Sequence, residues 1–125
     1  MTPADGCRVK LSDEAKQDVR DLNPLDGSDE AERRRKEFAM EVVKVTRRIE
    51  AHPWEGMPLR EDGPIPGLGD LRKIPFDPWK ASQPDYRLVY LLDPDGPEPK
   101  VAKVVAIGLR RNQVVYTVAA SRRHS

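Results

Sequence analysis

Phe38, Val42, Val45 and Ile49 recur at spacings of 4, 3 and 4, which lines one face of an α-helix. Ser28 or Asp29 opens this helix, and His52-Pro53 ends it, because a residue before proline avoids the helical region. His52 is therefore read as a helix-end residue. The run "ERRRKE" lies early in the helix among Asp29, Glu30, Glu32, Glu37 and Glu41. Charges alternating in sign predict a salt-bridged solvent face there, not a nucleic-acid patch. Upstream, Cys7, Val9 and Leu11 alternate with Arg8 and Lys10, the period of a short half-buried strand. Ser12 can cap a following helix, and Asp13 and Glu14 suit its positive end. Ala15, Val19 and Leu22 line that helix, and Asn23-Pro24 with "LDGSD" stops it. Residues 1–6 read as a flexible N-terminus.

The stretch "PWEGMPLREDGPIPGLGD" is a proline- and glycine-rich loop. "LRKIPF" then predicts a strand, "DPWKASQPD" a polar loop, and "YRLVYLL" a second strand. "DPDGPEP" is a turn before a third strand, "KVAKVVAIG". In "NQVVYTVAASRR", Val114, Val115, Val118 and Ala119 share one side of a short C-terminal helix. The expected fold is α+β: a single domain over 1–125, its N-terminal helical hairpin packed on a small, mainly antiparallel sheet, with a short C-terminal helix.

A chain of 125 residues, 34% charged and 38% hydrophobic, is one globular domain able to bury a core. It has no apolar run near the ~20 residues of a membrane span and no secretory h-region. With one cysteine, Cys7, the cytoplasm is the expected location. Two histidines and one cysteine, without metal-ligand spacing, predict neither metal nor cofactor. Charge changes the picture more. Residues 1–62 carry 12 basic and 15 acidic side chains, residues 63–98 carry 4 and 6, and residues 99–125 carry 6 and none. The segregated basic end, Lys100, Lys103, Arg110, Arg111, Arg122 and Arg123, fits a polyanion or acidic protein partner, or else a solvated tail.

Arg87 sits inside the apolar run "DYRLVYLL". Side chains alternate across a strand, so Tyr86, Leu88, Tyr90 and Leu92 make the core face, and Arg87, Val89 and Leu91 point out onto an exposed or concave surface. Ile74 and Phe76 face the core likewise, which turns Lys73 away, and in a meander Lys73 and Arg87 meet on one surface. The third strand ends in "GLRRN", where Gly108 allows close backbone approach. Arg110, Arg111 and Tyr116 follow. Arginine forks match phosphate oxygens, lysine adds a movable charge, and tyrosine can stack on a base. The plainer alternative pairs Arg87 with Asp70 or Asp85 and leaves Tyr116 at the core edge.

"GDLRKI", "YRLVYLL" and "VVAIGLRRNQVVY" together resemble the RelE/ParE superfamily of type II toxin–antitoxin toxins, most of all its RelE-like branch, over roughly residues 7–123. The resemblance implies a RelE-like fold and an endoribonuclease that cleaves mRNA in the ribosomal A site. It implies a cognate antitoxin and the 70S ribosome as partners. Arg87 corresponds to a phosphate clamp, Lys73 to a stabiliser of phosphate charge, Arg110 to a clamp and possible acid, and Tyr116 to the residue that stacks on or orients the nucleotide. Arg111 is an adjacent substrate-binding cation without a clear counterpart. Lys80, also assigned to substrate binding, and Asp77 lie in the longer loop between the site strands. Pro75 stands where RelE-type enzymes carry a second lysine, which leaves the general base unassigned. The alternatives are a ParE-like toxin that inhibits DNA gyrase by binding, and a catalytically silent antitoxin-binding relative.

Overall fold

Ser12 ends strand β1 (Arg8–Leu11) and begins helix α1 (Asp13–Leu22). Its Oγ accepts the Ala15 N–H at 3.0 Å, which satisfies one orphan donor of the helix start. Ser28 does the same for Ala31 at 3.1 Å and opens helix α2 (Asp29–Ala51), which runs to a C-cap at His52. The computed structural model describes residues 7–22, 27–59, 71–76, 86–93, 98–109 and 114–123. Beyond α2 come β2 (Met57–Pro58), β3 (Leu71–Phe76), β4 (Tyr86–Asp93), β5 (Val101–Leu109) and α3 (Val114–Arg123).

The strands form one five-stranded sheet in the order β1-β5-β4-β3-β2. β3, β4 and β5 make the expected antiparallel meander, and β1 joins β5 in parallel. The two-residue strand β2, read as loop from its prolines, pairs antiparallel with β3 and forms an edge. A β-bulge shifts the β4–β5 register between Val89 and Tyr90.

Apolar residues fill both faces of the sheet. On one, Phe38, Val42, Val45 and Ile49 of α2 and Ala15 of α1 pack on Ile74, Phe76, Leu88, Tyr90 and Leu92. Phe38 meets Phe76 and Tyr86 edge-on at 5.6 and 5.3 Å between centroids, a favoured geometry for aromatic pairs. On the other face, α3 lays Val115, Tyr116 and Ala119 over Leu71, Val89 and Ala106. The expectation that the Arg87 face of β4 lies outside the core therefore needs correction. Val89 on that face is fully buried, because α3 covers it. Within α3, Val114 is exposed and does not join Val115 and Ala119 against the sheet.

Two polar brackets hold the layers together. Tyr90 is fully buried. Its hydroxyl donates to Pro53 O at 2.8 Å and accepts the Gly56 N–H at 3.0 Å. Arg72 donates to Gly56 O at 2.8 Å and lies 4.8 Å over the Trp54 ring, a cation–π contact. The second bracket sits at the β1-side edge of β5, beyond the last residue that pairs with β1. There Asp18 of α1 accepts the Ile107 N–H at 3.0 Å. The same carboxylate takes both Arg122 Nη groups, at 2.7 and 2.9 Å, and Arg122 also donates to Val105 O. α1 and α3, on opposite faces, are thus tied through the sheet edge. Arg122 is therefore neither a solvated tail residue nor open to a partner.

Burial raises the pKa of Cys7 above its ordinary 9.0, with the Glu50 charge adding to the effect. Burial likewise raises Tyr90 above 10.0, against the opposing pull of the Gly56 hydrogen bond and Arg72. Both groups stay neutral in the folded chain at pH values where the unfolded chain ionises them. Raised pKa values contribute stability that is complete below the unfolded pKa and is lost as pH rises. The melting temperature is expected to fall as pH rises past about 9, where unfolded Cys7 ionises, and further past about 10, and Tyr90→Phe should flatten the second part of that fall. A flat profile in the parent protein would contradict this.

Candidate functional site

The β3–β4 ladder pairs Leu71 with Leu91, Lys73 with Val89 and Pro75 with Arg87. These six residues share the face that α3 covers, so Lys73 and Arg87 are diagonal neighbours on adjacent strands. Both are half-buried. Arg87 donates from Nη1 to Tyr86 O at 2.9 Å, and Lys73 places Nζ 5.5 Å from the Tyr116 ring centroid. Tyr116 is only 8% exposed, and its hydroxyl is the buried polar side-chain atom without a hydrogen-bond partner among the described residues. Such an orphan costs about 1–3 kcal/mol and marks a group with capacity for a further ligand. Stacking of a base on the Tyr116 face that Lys73 occupies requires the ammonium to move.

Gly108 stands opposite Arg87 on β5. The approach it allows is that of α3, because a Cβ there would lie 3.4 Å from Val115 Cβ. Arg110, Arg111, Lys80, Asp77, Asp70 and Asp85 lie outside the described residues. The structure thus brings Lys73, Arg87 and Tyr116 to one face, with exposed Pro75 beside Arg87 and no proton acceptor on its side chain. His52 caps α2. Among the described residues, no group of His, Cys, Asp and Glu side chains could hold a metal ion. No helix there is long and apolar enough to cross a membrane. Sequence reasoning missed Asp18, which anchors the helix that carries Tyr116. A partner 104 positions away leaves no local signal.

A mixed sheet with a helical hairpin on one face, and two cations beside a C-terminal helix on the other, is the architecture expected of the toxin half of a type II pair. Residues 9–114 match the family model described as ParE toxin of type II toxin-antitoxin system, parDE. The chain belongs to that family, and so to the RelE/ParE superfamily that its motifs resemble. Membership implies an antitoxin as partner. Among solved structures, an Escherichia coli RelE toxin, an arginine-to-alanine mutant in the free state, is similar at a TM-score of 0.49 and 21% identity, covering 94% of this chain and 97% of that one. No curated protein matches the chain.

Proposed function

We propose that this toxin is a ribosome-dependent endoribonuclease that cleaves mRNA in the A site. The observation that carries the reading is the placement of Lys73 and Arg87 as diagonal neighbours on one sheet face, beside a Tyr116 hydroxyl that has no hydrogen-bond partner among the described residues. In the reaction, the 2′-oxygen attacks the adjacent phosphorus and passes its proton to water. The bond to the 5′-oxygen breaks, and that oxygen gains a proton, leaving a 2′,3′-cyclic phosphate and a 5′-hydroxyl. Arg87 and Lys73, with Arg110 after the strand, stabilise charge on the phosphorane. Arg110 or the Tyr116 hydroxyl supplies the leaving oxygen's proton. Pro75 supplies no base, so the ribosome must contribute orientation, a term worth several kcal/mol. Naked mRNA is accordingly a poor substrate.

A second reading is a toxin that inhibits gyrase by binding. Pro75 in the place of a lysine and the ParE description of the matching family favour it. One experiment separates the two. Arg87→Ala should relieve growth arrest and slow A-site cleavage on programmed ribosomes by about 10²–10³-fold, the usual effect of removing one charge-stabilising donor. Its circular dichroism should be unchanged. Intact message beside blocked DNA supercoiling would replace the nuclease reading with the gyrase one, and full toxicity of the variant would refute the assignment of Arg87.

A further inference from the structure

We propose that Arg8, Lys10, Lys100 and Lys103 form a second anion-binding surface, separate from the Lys73–Arg87 site, that takes the phosphate backbone of a single-stranded polynucleotide. Val9 and Leu11 turn into the α2-side core, so Arg8 and Lys10 point to the other face of the sheet. The parallel ladder sets Arg8 beside Val101 and Lys10 beside Lys103. All four cations are exposed. The strand rise spaces Arg8 and Lys10 about 7 Å apart, and neighbouring strands set Lys10 and Lys103 about 5 Å apart at the backbone.

Like charges directly opposite in a sheet are destabilising. Among the described residues only Asp93 relieves this cluster, through an exposed bridge to Lys103 at 3.2 Å. Arg8 and Lys10 pair with no acid there, whereas Lys36 and Lys44 of α2 pair with Glu32 and Glu41. A local conflict of this kind is expected where a ligand resolves it. The apolar neighbours Leu91 and Val101 are half-buried, and the exposed large hydrophobics, Met40, Val43, Trp54, Met57 and Val114, all lie on other elements. An acidic peptide would find charge here but no exposed apolar anchor of the kind that carries most of the energy in protein interfaces. A phosphate backbone binds by charge alone. The surface lies on the same sheet face as Arg87 but five residues down β5 from Gly108, Arg87's partner, a distance of about 16 Å.

The test is fluorescence anisotropy of labelled oligouridylate and oligothymidylate over a range of salt. Each phosphate contact contributes about 0.7 to the slope of log affinity against log salt for single strands. Arg8→Gln/Lys10→Gln/Lys103→Gln should lower that slope by about 2, at a melting temperature no lower than the parent's, since the like-charge pair is removed. Equal effects on both oligomers mean the surface reads charge alone, and a larger effect on oligouridylate assigns it to RNA. Both outcomes support the proposal. An unchanged slope overturns it, as does a parent protein that binds neither oligomer. A triple variant that keeps its slope but self-associates in size-exclusion chromatography would make these cations guards of the β1 edge instead. Preferential binding of polyglutamate, lost in the variant, would make the partner an acidic protein. No outcome depends on nuclease activity, so a chain that binds the oligomers yet cleaves no mRNA refutes the nuclease reading alone.

Discussion

Asp18→Ala should lower stability by about 3 kcal/mol, the lower end for breaking one side of a buried pair. The Asp18 and Arg122 side chains retain 16% and 23% exposure, which is why the lower end applies. The substitution strands the Arg122 guanidinium against Val105 O and leaves the Ile107 N–H without its acceptor. For a domain of this size, that loss corresponds to roughly 10 °C in melting temperature. Asp18→Asn keeps an oxygen for the Ile107 N–H and Arg122 Nη1 but sets an amide N–H against Arg122 Nη2, so it should lose less than Asp18→Ala without restoring the parent. Hydrogen exchange should locate the damage in α3 and the end of β5, with α2 unaffected. A protein that melts with the parent and keeps α3 protected would remove the clamp from the account of the fold.

Gly56→Ala should be comparably damaging for a steric reason. A Cβ at this position would sit 2.5 Å from Tyr90 Oη, 2.8 Å from Cε1 and 3.0 Å from Cζ. The Tyr90 ring is fully buried and has no room to yield. Overpacking typically costs about 1–3 kcal/mol, and the two hydrogen bonds of the Tyr90 hydroxyl are lost with it. Tyr90→Phe alone leaves the Gly56 N–H and Pro53 O unpaired, at about 1–2 kcal/mol. The double variant Gly56→Ala/Tyr90→Phe should melt above the sum of the two losses, because the second change removes the atom nearest the added methyl. Strict additivity in denaturant unfolding would show that the two residues do not share this contact. Tryptophan emission should also shift in Gly56→Ala, since Arg72 holds both Gly56 O and the Trp54 ring.

The elements legible in the sequence are those with a strong local period. The 4-3-4 stripe of α2, the alternation of β1 and the caps at Ser12 and Ser28 rest on interactions within a few residues. Parity along β3 and β4 likewise sufficed to put Lys73 and Arg87 on one face. Non-local contacts were not legible. The run "YRLVYLL" was read as one-faced because Arg87 interrupts its odd positions. That arginine lies toward the strand end, while Val89 two residues on is sealed by α3. A short continuous apolar run is the mark of a strand buried on both sides, and this run fits that description better. β2 was hidden by its length and by Pro58, which is tolerated because it lies on an edge. The burial of Tyr116 and the capture of Arg122 by Asp18 depend on where α3 docks, which no spacing within α3 encodes.

The pairing of β1 with β5 also bears on when the molecule becomes complete during synthesis. Arg8 must wait for Val101, 93 positions later, a delay of roughly 5–20 s at a translation rate of 5–20 residues per second. The meander of β3, β4 and β5 closes through short connections, while β1 must wait for Val101–Val104 and the Asp18 clamp for Arg122. A nascent chain therefore closes its meander before it gains either the parallel sheet edge or the anchored α3.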